Sequence, residues 1–197
     1  MTPAELRAWI VQSLDPIEGH EPPPVAAPQA LTPAAVLIGL AEREGEVSVL
    51  LTRRADTLRR HTGQIAFPGG RCEPGEAPWE TALREAQEEV GLDPAYVELA
   101  GLSSPFQTGT GFDITPVVGF LREGFTLAPS PDEVAEIFEA PFAFLMDPEN
   151  HEQRFIEVAE GVSRQFYAMP YRERLIWGAT AGMLRVLYER LYGAQAA

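Results

Sequence analysis

Apolar positions return along this chain with several different rhythms, and each rhythm predicts an element. In residues 2–14, Leu6, Trp9, Ile10 and Leu14 recur at helical spacing with Glu5 in the first turn, which predicts an amphipathic helix. Residues 16–33 break that pattern. Proline recurs through them, including Pro22-Pro23-Pro24, so they read as an arm or linker without regular structure. Residues 34–40 and 47–52 are short apolar runs that predict two strands, with 42–46 as the turn between them. Ala66-Phe67 stops abruptly at Pro68-Gly69-Gly70. Residues 78–90 predict a helix closed by Gly91, with Leu83, Ala86 and Val90 at i, i+3 and i+7 as its buried stripe. Further strands are predicted over 97–102, 113–121 and 138–141. Residues 172–192 predict a long helix, with Leu175, Ala179, Met183, Val186, Leu187 and Leu191 on one broad apolar face. Strands mixed with a few helices predict an α/β domain, a mixed β-sheet sandwiched between helices. The division expected is an N-terminal helix and proline-rich arm over 1–33, followed by a single domain over 34–197.

Composition narrows this little, but charge narrows it more. The 197 residues suffice for one domain with a sizeable core. No apolar run approaches the roughly 18 residues a spanning helix needs, and residues 1–14 do not read as a signal peptide. The single cysteine, Cys72, has no internal partner, which fits a reducing compartment, so a cytoplasmic location is expected. The net charge of −14 argues against nucleic-acid and membrane partners, both of which bind through basic patches. All 15 basic residues are arginine, and four of them, Arg53, Arg54, Arg59 and Arg60, fall close together. In so acidic a chain a cluster of planar, phosphate-matching forks calls for a reason.

A second anomaly lies in the helix over 78–90. Glu85, Glu88 and Glu89 stand at i, i+3 and i+4, so three carboxylates neighbour one another in the last turn, where the helix dipole already disfavours anions. Arg84 opposes Glu88 at i+4 and cannot neutralise all three. A solvated acidic face is one explanation of such a cluster. A hard divalent cation that also bridges substrate phosphates is the other.

The preceding loop decides between them. Gly70, five residues, Glu76, seven residues, then Arg84-Glu85-Ala86-Gln87-Glu88-Glu89-Val90-Gly91-Leu92 resembles the Nudix box, with all its fixed polar and glycine positions in place. Ala86 stands where the pattern asks for a larger aliphatic residue, which implies a packing difference and no loss of chemistry. The resemblance implies a mixed sheet between helices, and metal-dependent hydrolysis of a nucleoside diphosphate linked to another group. It implies Mg²⁺ (or Mn²⁺) as cofactor, Glu85 and Glu89 as principal metal ligands, Glu88 as a further one, and the Gly70 carbonyl as a possible addition. Arg84 would orient the glutamates, and Glu76 would fix the loop. The general base is expected either in the box or in a later acidic loop, where Glu133 is the choice. Cys72 is assigned no nucleophilic role, because no neighbouring base is evident.

The segment before the box carries a finer resemblance. Leu50, Leu51, Thr52, Arg54, Ala55, Arg59, Gly63 and Phe67-Pro68-Gly69-Gly70 fall on the signature of the coenzyme A diphosphatase subfamily, and Ile176-Trp177-Gly178-Ala179-Thr180-Ala181 resembles a later stretch of it. That implies cleavage of coenzyme A, or its derivatives, into adenosine 3′,5′-bisphosphate and 4′-phosphopantetheine. The diphosphate and the separate 3′-phosphate need positive partners, and Arg54, Arg59 and His61 are the candidates. Gln64, Gly69 and Gly70 are expected to position loop or substrate. Two alternatives remain at this point. Another Nudix substrate, such as ADP-ribose or a dinucleotide, fits the box but leaves the pattern over 50–63 unexplained. A non-catalytic ligand-sensing Nudix domain would be expected to have lost one of the three glutamates, and all are present.

Overall fold

The longest strand organises everything else. In the computed structural model, which describes residues 1–19, 31–55, 63–159 and 162–193, strand β1 spans Thr32–Arg43 and is buried through nearly its whole length. An unbroken apolar run of this kind suits a strand covered on both faces. Helix α1 (Pro3–Ser13) precedes it, and β2 (Glu46–Arg54) follows through a two-residue turn in which Glu44 (φ 52°) and Gly45 (φ 83°) are both left-handed. That turn type matches the twist of the flanking strands and fixes Arg43 opposite Glu46. Short strands β3 (Ile65–Ala66) and β4 (Gly69–Arg71) then lead into helix α2 (Pro78–Val90). Beyond it come β5 (Val97–Leu102), β6 (Phe106–Gln107), β7 (Phe112–Leu121) and β8 (Val134–Pro141), and the one-turn helix α3 (Phe142–Leu145). A three-stranded antiparallel sheet of β9 (Glu152–Ala159), β10 (Val162–Tyr171) and β11 (Arg174–Trp177) precedes the last helix, α4 (Ala179–Tyr192).

The main sheet is mixed. Strand β1 runs parallel to β7 and antiparallel to both β2 and β4, while β8 extends the sheet beyond β2. Alternation along β1 divides the core between two layers. Ala35, Leu37 and Ala41 pack with Leu50, Val117 and the α2 residues Ala82, Ala86 and Val90. Val36, Ile38 and Leu40 pack on the opposite side with Ile10 and Leu14 of the N-terminal segment and Leu184, Leu187 and Leu191 of α4. Burying one side chain of this size contributes about 1.5–3 kcal/mol. The sandwich expected from the sequence is therefore present.

Three expectations need correction. The long helix expected over 172–192 starts only at Ala179. Arg174–Trp177 pairs with β10 as a strand, and Gly178, at φ 66°, turns the chain between strand and helix. Leu175, expected on the apolar face of that helix, is consequently exposed. The buried stripe of α2 runs through Ala82, Ala86 and Val90, with Leu83 only half-buried, so the helix is rotated slightly from the spacing first inferred. Strands β9 and β10 were not expected at all.

Candidate functional site

Helix α2 is well delimited by its own sequence. Pro78 occupies its first position, the Glu80 carboxylate accepts the Ala77 N–H at 2.8 Å, and Gly91 closes it with φ 66°, its N–H donating to the Gln87 carbonyl at 3.0 Å. This presents the last turn, with its three glutamates, to the loop that follows β3. There the chain passes close to the Glu85 side chain on one side and to the β1 backbone on the other, and glycine leaves both approaches open. A Cβ on Gly70 would stand 2.3 Å from the Glu85 Oε1, and one on Gly69 would stand 2.4 Å from the Ala35 carbonyl oxygen.

The three carboxylates have different surroundings. Glu89 is 4% exposed; one oxygen accepts the Gly69 N–H at 3.1 Å, and the other lies 3.8 Å from the Arg54 Nη1. Burial pushes its pKa up to about 7 against those partners, and repulsion from Glu133 and Glu85 adds to the rise. Burial also raises Glu85, although Arg84 partly opposes it through an Nη1–Oε1 contact of 2.8 Å. Glu88 points outward, with its side chain 60% exposed, and receives the same Arg84 Nη1 at 3.3 Å. Arg84 is the hub of this shell. It also donates from Nε to Glu76 at 2.9 Å and from Nη2 to the Arg71 carbonyl at 3.1 Å. Glu76 in turn accepts the Thr81 hydroxyl at 2.6 Å and the Glu73 N–H at 2.9 Å, and the Arg84 guanidinium holds its pKa down at about 2. Glu76 thus ties the loop to the helix. Burial pushes the Cys72 thiol up, which leaves it a poor nucleophile.

A cleft of about 340 Å³ opens over this region, near the lower end of the ~300–1,000 Å³ usual for small-molecule sites. Glu85, Glu89 and Glu133 line it together with Arg54, Gly69 and Gly70. Glu133 reaches it because its backbone is pinned on both sides: its N–H donates to Ser130 and its carbonyl accepts from Ala55 at 2.8 Å. Glu88 is not among the lining residues. Gln64 sits behind the wall, its carbonyl accepting the Arg54 N–H at 3.0 Å. Arg59 and His61 lie outside the described residues. The cleft has five further lining residues that sequence reasoning missed: Ala34, Val36, Arg71, Phe112 and Ile114. They come from three strands, and only the pairing of β4 and β7 with β1 brings them together. A separate depression of about 240 Å³, between α1 and the far end of β1, contains none of these groups.

The donor set suits a hard divalent cation. Glu89, buried, and Glu85, half-buried, are both pushed towards protonation and both repelled by Glu133; they lose that penalty when a cation joins them, and the missing Cβ of Gly70 keeps the space beside Glu85 open. Among the described residues, no three carboxylate, imidazole or thiol groups converge into a ready-made cage. The oxygens of a bound phosphate would complete the shell, as is usual for Mg²⁺.

Comparison with known proteins agrees with this geometry. The NUDIX domain profile matches residues 30–170. The chain is 38% identical over 160 residues to the Uncharacterized Nudix hydrolase NudL of Yersinia enterocolitica serotype O:8, covering 80% of each chain. A Yersinia pestis protein of the same description is 38% identical over 159 residues, 80% of this chain and 79% of that one. Among solved structures, a MutT/nudix family protein from Enterococcus faecalis superposes with a TM-score of 0.53 over 98% of this chain and 70% of that one, at 18% identity. The MutT protein from Methanosarcina mazei Go1 gives 0.51 over 87% of this chain and 100% of that one, at 18% identity. These last two likenesses concern the fold alone. The box loop, the carboxylate helix held against it and the match over most of the chain lead to one conclusion: this chain belongs to the Nudix hydrolase family.

Proposed function

We propose that the chain hydrolyses the diphosphate of coenzyme A, or of its derivatives, to adenosine 3′,5′-bisphosphate and 4′-phosphopantetheine. The observation that carries the diphosphate step is Arg54. Its Nε is buried and has no hydrogen-bond partner among the described residues, while its Nη1 stands 3.8 Å from Glu89 at the cleft wall. A buried charged donor left unpaired costs free energy, and an oxyanion entering the cleft satisfies it. The coenzyme A step rests on the two stretches that resemble the diphosphatase subfamily. They are far apart in sequence, yet the Thr180 hydroxyl donates to the Ile65 carbonyl at 2.9 Å across 115 positions. That hydrogen bond joins the second stretch to the first at β3, which pairs with the strand that carries Arg54.

Glu85 and Glu89 are the residues we assign to the metal, with Glu88 and the Gly70 carbonyl completing the set, and with Arg84 holding Glu85 and Glu88 in place. Mg²⁺ or Mn²⁺ bound there would neutralise charge on the diphosphate and make water a better nucleophile. Arg54 grips the diphosphate oxygens and fixes the phosphorus for in-line attack. Glu133, across the cleft, takes a proton from the attacking water as the new P–O bond forms and the bridging P–O bond breaks. One phosphate of the former diphosphate stays on each product, the water oxygen on one and the bridging oxygen on the other. Arg59, His61 and Gln64 remain candidates for substrate contact on the strength of the sequence resemblance.

The test is hydrolysis of coenzyme A, ADP-ribose and diadenosine polyphosphate side by side, with Mg²⁺ and with chelator. Metal-dependent release of adenosine 3′,5′-bisphosphate, with little action on the others, is the expected result. Preference for ADP-ribose or the dinucleotide would overturn the coenzyme A step and leave the family chemistry intact. Tight binding of coenzyme A without turnover would replace the enzyme reading by a ligand-sensing one.

A further inference from the structure

The cleft contains a second guanidinium that the reading above leaves unused. Arg71 of β4 pairs with Ala34 of β1, which pairs in turn with Ile114 of β7, so the three side chains form one row on one face of the sheet. The middle member is the small one, and it leaves a trough between Arg71 and Ile114. Phe112, two residues before Ile114 on the same face, closes the end, and the Arg71 guanidinium lies 5.3 Å from its ring centroid. Among the described residues Arg71 makes no ion pair, although the chain carries 29 acidic residues. Its backbone is fixed, because its carbonyl accepts the Arg84 Nη2. A solvent-exposed arginine held over an aromatic face, with its backbone anchored, has lost much of the freedom that binding an anion would otherwise cost.

Position says which anion. Gly69 marks the reaction centre, since its N–H meets Glu89. Arg71 is two residues further along the same strand, roughly 7 Å beyond at ~3.3 Å per residue, and its side chain extends towards Phe112, on the side of the row away from Gly69. The diphosphate is assigned above to Arg54, which lies on β2, a strand that pairs with β1 and not with β4. A phosphate at Arg71 is therefore a different one. We propose that Arg71, braced by Phe112, binds a phosphomonoester carried by the nucleoside outside the scissile diphosphate, and so makes the enzyme prefer 3′-phosphorylated nucleotides over those lacking that group.

This inference rests on the coenzyme A reading, and its test separates the two. In the first arm, kcat/KM is measured for coenzyme A and dephospho-coenzyme A on wild type, Arg71→Gln and Arg71→Lys, with folding checked by circular dichroism. Arg71→Gln is expected to lower kcat/KM for coenzyme A about 10- to 100-fold, mainly through KM, and to leave dephospho-coenzyme A within about twofold; Arg71→Lys keeps part of the preference. An equal fall for both substrates, or none for either, overturns the inference while the coenzyme A reading stands. In the second arm, binding of adenosine 3′,5′-bisphosphate and of AMP is measured by calorimetry on the same three proteins. If wild type fails to hydrolyse coenzyme A but binds the bisphosphate more tightly than AMP, and Arg71→Gln abolishes that difference, the reading falls and the inference survives. Equal binding of the two by wild type overturns the inference whatever the turnover.

Discussion

The Glu89 carboxylate accepts the backbone N–H of Gly69 at 3.1 Å, so the last turn of α2 is joined directly to the strand that opens the box loop. One carboxylate oxygen is committed to the loop and the other faces Arg54 and the cleft. The distance between helix and loop is thereby fixed before any ligand arrives, which lowers the ordering cost of binding.

The first consequence concerns pH. A carboxyl whose folded pKa stands at about 7, against an ordinary value near 4.5, binds protons better when folded, so it makes the metal-free chain less stable as pH rises from about 4.5 to about 7. Glu89→Gln removes that charge at nearly constant shape. The variant is expected to equal wild type at pH 4.5 and to exceed it by about 3 kcal/mol above pH 7, without metal. Denaturant titration of both proteins in chelator checks this. Added Mg²⁺ should reverse the order, and turnover by the variant should be lost with folding intact.

Glu76 behaves in the opposite sense. Its folded pKa is held at about 2 by Arg84, so its contribution is complete above about pH 4.5 and disappears as pH falls towards 2. Glu76→Gln is expected to cost about 2 kcal/mol at neutral pH once solvent screening of the pair is allowed for, and nothing near pH 2. Equilibrium unfolding at the two pH values measures the difference.

Gly70→Ala tests the close approach of loop and helix. The added methyl would meet the Glu85 carboxylate at 2.3 Å, and since Gly70 does not need a left-handed backbone, the clash falls on the carboxylate. We expect kcat to fall on the order of 10²-fold, from a displacement of about an ångström, with the circular dichroism spectrum unchanged. Steady-state kinetics with the preferred substrate reads the effect.

Thr180→Val removes the hydroxyl that joins α4 to β3. The Ile65 carbonyl is left without that donor in a buried setting, at a cost of about 1–3 kcal/mol. Because Ile65 pairs with Arg53, next to Arg54, KM should also rise. Thermal unfolding and KM measured on one preparation test both halves.

What could be read from the sequence, and what could not, follows from where each signal resides. Helix α2 was legible to the residue, because Pro78 and Gly91 are local signals that no distant contact has to supply. The box glutamates and Arg84 were legible as a group for the same reason, since helical spacing alone makes them neighbours. Strand β9 was not. Its alternation is carried by Glu152, Gln153, Arg154 and Glu157, and Phe155 is 67% exposed, so no apolar period marks it. Leu175 and Ala179 imitate a helical step, but Gly178 with φ 66° stands between them and ends the resemblance. Arg71 and Phe112 belong to a third category. Nothing in either segment refers to the other, and their meeting depends on two strand pairings with β1.

Strand β1 carries Val36 on one face and Ala35 and Leu37 on the other, and its partners include β2, β4 and β7. A slip of a single residue in any of these pairings would exchange the faces, sending core side chains into the cleft and cleft side chains into the core. The pocket therefore depends on the same strand registers as the core. Activity and cooperative structure are expected to be lost together, so heating should extinguish turnover and the circular dichroism signal at the same temperature.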